Sequence, residues 1–463
     1  METEVVFDMP VIKPKSRSLD PAVTIVLSFA AIIAVGTILL IMPFSSADGS
    51  FTDPLTAVFT ATSATCVTGL ILVDTGTYWS SFGQIVILLM IQIGGLGFVT
   101  LVSFFNFLIG KKMELRSIQV ASESVNTSGF SDVKLLVRYV IGISVICELI
   151  GAALLATVFV PEYGLYGAYI SVFVAISAFC NAGFDIIGAV DTPYCSLASF
   201  SDNPVVMTVV PLLIIAGGLG FFVWMDIIGF RKKKRLSLQS RIVLIFTLIL
   251  IAVGTFLTLV TEWGNPLTLG KMDFGGKLVN SFFHSVSLRT AGFNTVDVSS
   301  MYSITKLASI FLMFIGVAPG STGGGIKITT FAIIIMTVVS VVKNKEDTVI
   351  MNRKIDKESV YKSLAIIILA ALATSASGIV LFYSNPGADI QGIDAAFEAV
   401  SAISTCGISV GVSAASGLIS RIILCLTMFI GRVGPVSFAI SLSVKKDYRS
   451  KNEVFPDGKM MVG

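Results

Sequence analysis

One segment of eleven residues recurs four times along this chain. Each copy begins with Phe and ends with Gly, and three of the four have Ser six residues before that Gly. The copies are FTATSATCVTG (Phe59–Gly69), FVAISAFCNAG (Phe173–Gly183), FFHSVSLRTAG (Phe282–Gly292) and FEAVSAISTCG (Phe397–Gly407). Their terminal glycines are 114, 109 and 115 residues apart. Repetition at a nearly constant period indicates one structural unit that is used four times.

A second motif follows each copy in the same register. It reads IGGLGF at Ile93–Phe98, AGGLGF at Ala216–Phe221, IGVAPG at Ile315–Gly320 and IGRVGP at Ile430–Pro435. Its first Gly comes 25, 34, 24 and 24 residues after the terminal glycine of the preceding segment. The surplus of the second unit lies in a polar insert around Asp191–Asn203.

Apolar runs long enough to cross about 30 Å of hydrocarbon flank the repeated segments. Eight such runs lie near 22–43, 82–109, 134–160, 204–230, 241–262, 305–342, 358–384 and 418–444. Between them, shorter apolar stretches near 54–64, 167–179, 274–287 and 392–403 suit re-entrant segments buried within protein. Only 13% of all residues are charged, whereas a soluble chain has about 25%. We therefore predict an all-α integral membrane protein.

Each unit then consists of a helix, a re-entrant pore loop and a second helix. We predict eight transmembrane helices in four parallel repeats around one pore, an architecture like that of a K⁺ channel. The predicted segments are a cytoplasmic tail 1–20, repeats 21–110, 134–230, 241–342 and 358–445, and a cytoplasmic tail 446–463.

The distribution of positive charge predicts the orientation. If eight helices alternate, 25 of the 32 lysines and arginines fall on one side, which the positive-inside rule makes cytoplasmic. We therefore expect a multi-pass protein of the cell membrane, with both termini in the cytoplasm and the pore loops on the extracellular side. The acidic excess in the outer connections would attract cations to an outer mouth; the alternative is that these loops simply need polar residues.

The repeated segments suggest how a cation is bound. Gly allows positive φ and close approach to an axis, and inward carbonyl oxygens can replace the hydration shell of an alkali cation such as K⁺. The candidate filter residues are Cys66, Val67, Thr68, Gly69, Cys180, Asn181, Ala182, Gly183, Arg289, Thr290, Ala291, Gly292, Ser404, Thr405, Cys406 and Gly407. We expect the Arg289 side chain to point behind the filter, with Glu398 as its partner.

The third unit departs from its own pattern. One Pro and four Gly fall within Ala318–Gly325, and they cannot hold a regular helix. Irregular backbone at membrane depth is tolerated where it lines an aqueous cavity, so 318–325 is a candidate intramembrane gate; a passive hinge is the alternative. Arg432 replaces a small residue at the same depth, and we expect it to hydrogen-bond the carbonyls of this loop. The candidate gate residues are Pro319, Gly320, Ser321, Thr322, Gly323, Gly324, Gly325, Lys327 and Arg432.

Other kinds of site have little support. The six cysteines lack metal-binding spacing, and His284 is the only histidine. The 318–325 loop lacks the G-K-[ST] ending of a phosphate-binding loop. No set of nucleophile, base and metal ligands predicts an enzyme, and a net charge of +3 does not predict a nucleic-acid partner. Glu148 is expected near a cytoplasmic helix end, in a structural role.

The filter series, LRTAGFNT (Leu288–Thr295) and APGSTGGGIK (Ala318–Lys327) resemble the Trk/Ktr/HKT superfamily of potassium transporters. The resemblance covers about Pro21 to Lys445 and is closest to the Ktr ion-conducting membrane subunit. It implies a homodimer in lipid with one pore per subunit, K⁺ uptake that Na⁺ stimulates, no organic cofactor, and a cytoplasmic ring of nucleotide-binding regulatory subunits.

Two other functions compete with gated K⁺ uptake. An alternating-access cation symporter would show inverted repeats and paired broken helices, whereas the sequence indicates parallel units and one broken helix. A non-transport membrane scaffold is the second competitor, and a transport assay separates all three.

Overall fold

The computed structural model describes residues 21–97, 133–385 and 390–442. The described residues are mostly helical, and their strands form one two-stranded hairpin. The tails 1–20 and 446–463, and the predicted ends of the first and fourth repeats near 110 and 445, lie outside the described residues. The predicted repeat boundaries therefore stay a prediction.

The described residues of the first two units form seven α-helices. They are α1 (Pro21–Ile41), α2 (Pro54–Cys66), α3 (Thr75–Tyr78), α4 (Ser81–Leu96), α5 (Val133–Phe179), α6 (Pro204–Gly218) and α7 (Phe221–Lys233). Helix α5 joins a long helix to the repeated short one across a kink at Gly164, whose φ is 61°. The start of α2 is determined locally, because Asp53 accepts a hydrogen bond from the Thr56 amide and Pro54 takes the first helical position.

In the last two units, nine α-helices and the hairpin lie within residues 238–385 and 390–442. They are α8 (Leu238–Thr261), α9 (Phe274–Ser287), α10 (Ser303–Phe314), α11 (Ile328–Val342), β1 (Val349–Ile350), β2 (Arg353–Lys354), α12 (Lys357–Tyr383), α13 (Gly392–Ile403), α14 (Val412–Ala415), α15 (Leu418–Val433) and α16 (Pro435–Leu442). In the hairpin, Val349 pairs with Lys354 and Ile350 with Arg353. Single 3₁₀ turns lie at Pro43–Ser45, Ile187–Ala189 and Ala198–Phe200.

Four described helices are long and apolar enough to cross a membrane, and each is the first helix of its unit. They are Val23–Ile41, Val137–Phe179, Leu238–Thr261 and Lys357–Tyr383, and the bent pair α6–α7 would make a fifth span. Helices α4, α10 and α11 are apolar but shorter. The long helices expose Leu149 (65%), Leu248 (71%) and Leu372 (62%), a surface that suits lipid rather than water.

In three units the second helix ends or bends at the fifth residue of the shared glycine motif. Helix α4 ends before Gly97, α6 and α7 meet at Gly220 with a 94° bend, and α15 and α16 meet at Gly434. These three glycines have φ values of 82°, 84° and 95°, which favour Gly. The prediction that only the third unit has a broken helix is therefore wrong.

In three of the four units, close packing explains why the first glycine of this motif has no side chain. A Cβ there would overlap the carbonyl oxygen four residues before the terminal glycine of the unit: Gly94 on Thr65, Gly217 on Phe179 and Gly431 on Ile403. The second helix of each of these units therefore touches the end of its short helix directly. In the third unit, Gly316 instead packs on the carbonyls of Gly324 and Ile326.

The short helices form the best-buried part of the structure. From Ala395 to Ile403 in α13 only Ala396 is not buried, and Phe59, Phe173, Phe283 and Phe397 are fully buried. The longer helices surround them and expose apolar side chains outward. This arrangement brings the four repeated segments to the centre.

Candidate ion-binding site

All four repeated segments leave their short helices through the same backbone conformation. The second residue of each candidate filter segment is left-handed, with φ of 57° at Val67, 59° at Asn181, 61° at Thr290 and 50° at Thr405. The terminal glycines also have positive φ, 92° at Gly69, 69° at Gly183, 83° at Gly292 and 85° at Gly407. β-branched Val and Thr rarely adopt this conformation, so the surrounding structure must hold it.

The terminal glycines approach one another closely. A Cβ built on Gly183 would lie 2.7 Å from the carbonyl oxygen of Ala291 and 2.9 Å from the Cα of Gly292. A Cβ built on Gly292 would in turn lie 2.7 Å from the carbonyl oxygen of Cys406. All three distances are too short for a real side chain, so only Gly fits at these positions.

The two remaining contacts close the cycle. A Cβ on Gly407 would overlap the carbonyl oxygen of Thr68, and a Cβ on Gly69 would overlap that of Ala182. Each glycine therefore lies beside the carbonyl group that precedes the glycine of the next unit, in the order first, second, third, fourth and back to the first. Four backbone segments with the same conformation converge on one place.

Hydrogen bonds within the units fix the amide groups of these segments. Ser63 Oγ accepts from the Gly69 amide at 3.1 Å, and Ser401 Oγ accepts from the Gly407 amide at 3.1 Å. In the third unit, where Val286 stands in place of that serine, the terminal glycine amide bonds the Ser287 carbonyl at 3.4 Å. In these three units the N–H group of the terminal glycine is therefore bonded back into its own unit.

Arg289 extends behind the third segment, as expected, but not to the expected partner. Its Nη2 atom donates to the carbonyl oxygen of Gly316 at 3.4 Å. The carboxylate of Glu398 instead accepts from the Ser409 hydroxyl at 2.7 Å and from the Ser413 amide at 3.0 Å. The expected Arg289–Glu398 pair is wrong, because this carboxylate already accepts hydrogen bonds from the loop that follows its own segment.

One candidate filter carbonyl has another partner. The Asn181 amide group donates from Nδ2 to the carbonyl oxygen of Arg289 at 3.2 Å, and its Oδ1 accepts from the Thr322 hydroxyl at 2.9 Å. Asn181 thus joins the second segment to the third segment and to the 318–325 loop. The Arg289 carbonyl is held by protein, unlike the carbonyl beside each terminal glycine.

The 318–325 loop lies directly against the filter segments. A Cβ on Gly323 would overlap the hydroxyl of Thr290, and a Cβ on Gly324 would overlap that of Thr405. The Gly324 amide donates to Thr405 Oγ1 at 3.0 Å. Including the bond between Thr322 and Asn181, the loop touches the left-handed residue of three of the four units.

Backbone groups freed by the helix breaks also bind the loop. The Ala318 amide donates to the Gly218 carbonyl at 3.1 Å, and the Gly325 amide donates to the Gly431 carbonyl at 3.3 Å. In the other direction, the Phe221 amide donates to the loop carbonyl of Gly320 at 2.9 Å. Hydrogen bonds to the glycine motifs of the second and fourth units therefore hold the loop in place. The same bonds satisfy buried backbone groups of both the loop and the motifs.

Two cations hold three successive carbonyl groups of this loop. Arg432 donates from Nη1 to the Thr322 carbonyl, and from Nη2 to the carbonyls of Gly94 and Gly95 in the first unit. Lys327 Nζ donates to the carbonyl of Gly323 at 2.7 Å and to that of Gly324 at 3.3 Å. The contact of Arg432 with the loop is the one expected from the sequence; a role in gating stays a prediction.

Glu148 lies deeper than the sequence suggested. It is in the middle of the first helical part of α5, where its carboxylate accepts two hydrogen bonds from Gln92 Nε2, at 3.0 and 3.2 Å. The other amide atom, Gln92 Oε1, accepts from the Cys180 thiol at 3.5 Å. The expectation of a helix-end position is wrong, and a carboxylate in the middle of an apolar helix was the available signal.

The outer side of the second segment carries an acidic group. Asp185 lies two residues beyond Gly183 and is partly buried. Burial raises the pKa of Asp185 to about 7; a hydrogen bond from the Ile187 amide opposes the rise, the charge of Asp74 adds to it, and a bond from Ser196 again opposes it. This group changes charge near neutral pH.

A family model described as "TrkH: Cation transport protein" matches residues 11–452. The chain belongs to this family. Among its relatives, the "Potassium/sodium uptake protein NtpJ" of Enterococcus hirae is 37% identical and covers 98% of this chain and 100% of its own. The "Ktr system potassium uptake protein B" of Bacillus subtilis is 36% identical, with 96% of this chain and 97% of its own covered.

A solved structure supports the fold. The potassium transporter TrkH from Vibrio parahaemolyticus superposes with a TM-score of 0.70 over 93% of this chain and 86% of its own, at 16% identity. Identity at this level shows the fold alone. With the family match and the apolar helices, it makes this chain a multi-pass membrane protein of the TrkH family. The resemblance noted in the sequence is thereby confirmed.

Proposed function

We propose that this protein takes up K⁺ across the cell membrane through a selectivity filter built from four non-identical segments. The observation that carries the proposal is the closed cycle of Gly69, Gly183, Gly292 and Gly407, each beside a carbonyl of the next unit. Four converging carbonyl groups can replace water around an alkali cation. The related proteins named for potassium uptake support K⁺ as the ion, and NtpJ, named for both potassium and sodium, supports Na⁺ as a second ion.

The filter assignment is tested by a matched pair of glycines in the fourth unit. Gly407 and Gly411 have φ of 85° and 93°, but only Gly407 is crowded, since nothing lies within 4 Å of a Cβ on Gly411. Both Gly→Ala changes impose the same backbone strain. We expect Gly407→Ala to lower K⁺ permeability relative to Na⁺ in proteoliposomes, and Gly411→Ala to leave the ratio unchanged. Equal ratios in the two variants at equal expression would remove the filter assignment.

The 318–325 loop is proposed as a gate beneath this filter. Three glycines in a row, Gly323 to Gly325, make the loop inexpensive to rearrange, and Lys327 and Arg432 hold its carbonyls. Their positive charges also oppose a cation held next to the filter. Opening would release the Thr322 carbonyl from Arg432 and move the loop away from Thr405.

Eight spans, four parallel repeats around one pore, cytoplasmic termini and extracellular pore loops complete the proposed architecture. A homodimer in lipid with a cytoplasmic nucleotide-binding ring is proposed on the Ktr resemblance, and the basic connection Arg231–Arg241 and the tail beyond Lys445 are the proposed contacts of that ring. Crosslinking from these two segments should recover a nucleotide-binding protein. Recovery of lipid and self-contacts only would count against the proposed contacts.

One observation favours a second candidate, the alternating-access cation symporter. Breaks occur in the second helices of the second, third and fourth units, and broken helices are common in such carriers. Single-channel current recordings in planar bilayers distinguish the pore from the symporter. Unitary K⁺ currents support the pore, and coupled K⁺ and Na⁺ movement without unitary currents supports the symporter.

A further inference from the structure

The polar insert of the second unit, residues 191–203, has no role yet in the filter or in the gate loop. It accounts for the longer spacing in this unit than in the other three. Its apolar residues anchor it, because Leu197 is fully buried and the ring of Phe200 meets that of Phe159 edge-on at 5.0 Å. The insert is thus fixed to the protein beside α5, close to the kink of this helix at Gly164.

The insert is hydrogen-bonded to the third unit just beyond its filter segment. The Leu197 amide donates to the Asn294 carbonyl at 3.0 Å, and the Asn294 amide donates to Ser196 Oγ at 3.2 Å. Asn294 follows the terminal glycine, Gly292, by two residues. Both backbone polar groups of Asn294 are therefore bound to the insert.

On its other side the insert is hydrogen-bonded to the first unit. The Tyr194 amide donates to Asp74 Oδ2 at 2.8 Å, and the Tyr194 hydroxyl donates to the Leu72 carbonyl at 3.4 Å. Leu72 follows Gly69 by three residues. Asp74 is itself fixed, because it also accepts from the Thr77 amide at 2.8 Å at the start of α3.

The same insert reaches the filter segment of its own unit. Ser196 also lies beside Asp185, two residues beyond Gly183, where its hydroxyl opposes the rise in the pKa of that carboxyl. Tyr194 and Ser196 have φ of 64° and 51°, and residues other than Gly rarely adopt these values. Such a conformation persists where the surrounding contacts hold it, and here they connect three units.

We propose that the insert is an outer brace that fixes the spacing of three filter segments and so contributes to the discrimination of K⁺ from Na⁺. This inference rests on the proposed function, because it takes the converging segments as an ion filter. Carbonyl sites select an ion by the size of the cavity or by the number and field strength of the coordinating carbonyl groups, and both depend on the spacing of the segments. Ser196 and Tyr194 are positioning residues: they act on the filter through the residues that follow Gly292 and Gly69.

The test uses K⁺ and Na⁺ flux in proteoliposomes of the full chain. Ser196→Ala removes the hydroxyl that accepts from the Asn294 amide and lies beside Asp185, and Tyr194→Phe removes the hydroxyl that donates to the Leu72 carbonyl. We expect each change to raise Na⁺ permeability relative to K⁺ by about twofold to tenfold, the factor that corresponds to one net hydrogen bond. Ser196→Gly should behave like Ser196→Ala, since it also lacks the hydroxyl although it relieves the strained φ.

Ser199→Ala is the matched control. Ser199 belongs to the same insert, is exposed, and bonds Asp191 within the insert. Its removal should leave the permeability ratio at the wild-type value. An equal change in the Ser199 and Ser196 variants would mean that the insert responds to any substitution, and the proposed brace would be wrong.

The filter variant Gly407→Ala separates this inference from the proposed function. If Gly407→Ala changes the permeability ratio while Ser196→Ala and Tyr194→Phe do not, the brace is wrong and the filter stands. If none of the three changes the ratio, the filter assignment fails as well. If Ser196→Ala prevents folding, Tyr194→Phe decides the question alone, because it removes only the hydroxyl of an exposed residue. A wild-type permeability ratio in Tyr194→Phe would then overturn the brace.

Discussion

Replacing Arg432 with Ala should increase K⁺ flux if, as proposed, its guanidinium group holds the 318–325 loop closed. The change removes the hydrogen bond to the Thr322 carbonyl and frees the loop from the first unit, where Gly94 and Gly95 are bound. A hydrogen bond to a charged group contributes about 1.5–3 kcal/mol. If the closed loop predominates, this free energy corresponds to a roughly tenfold to hundredfold rise in the open fraction.

Arg432→Lys separates hydrogen bonding from charge. Lysine keeps the positive charge but lacks the planar fork that reaches the loop and the first unit at once. If the fork holds the loop, Lys should resemble Ala; if electrostatic repulsion forms the barrier, Lys should resemble the wild type. Arg421→Ala is the matched control, because Arg421 lies in the same helix but bonds the Ser416 carbonyl, away from the 318–325 loop.

The assay is initial K⁺ flux in proteoliposomes, with and without the cytoplasmic partner. Deleting part of Gly320–Gly325 should raise flux and weaken regulation as Arg432→Ala does. Combining the two changes should add little, because both remove the same barrier. Wild-type flux and regulation in Arg432→Ala would refute the reasoning and leave this arginine as a packing residue.

Three further outcomes are expected. Glu398→Ala should lower the free energy of unfolding by about 3 kcal/mol, because the Ser413 amide and neighbouring hydroxyls lose a buried acceptor. Thermal unfolding in detergent measures this change. If the effects of Glu398→Ala and Arg289→Ala add, the two side chains do not pair. Flux should fall as pH drops below about 7, where Asp185, whose pKa is raised to about 7, becomes neutral; Asp185→Asn should remove that component, and an unchanged pH profile would contradict it. Lys327→Met should raise flux less than Arg432→Ala, since it frees loop carbonyls but leaves Arg432 in place; lower flux than wild type would contradict a closing role.

The sequence predicted the repeated segments and the family because their signals are local and occur in register. Pro319 and the neighbouring glycines likewise predict an irregular backbone without any knowledge of distant contacts. The breaks at Gly220 and Gly434 were missed for a physical reason. A single glycine is tolerated within a helix, and the break at Gly220 depends on another unit, because the Phe221 amide binds the Gly320 carbonyl. Pro435, directly after Gly434, was a local signal for the second break.

Partners of buried polar groups were the least predictable feature. Glu398 was assigned to Arg289 from charge alone, but a carboxylate can be satisfied equally well by nearby hydroxyl and amide groups. Lys327 was a candidate gate residue without a specified contact, and its bonds to two loop carbonyls were not predicted. Such choices depend on the distance between segments that are far apart in the sequence, which spacing along one chain does not give.

Direct location of the permeant ion tests the central claim. Crystals of the protein grown with Rb⁺ or Tl⁺ in place of K⁺ would give anomalous density at each bound ion. We expect density on the axis enclosed by the carbonyl groups of Thr68, Ala182, Ala291 and Cys406, with less of it in Gly407→Ala. Density confined to other places, with none among these four carbonyls at saturating ion, would contradict the proposed filter.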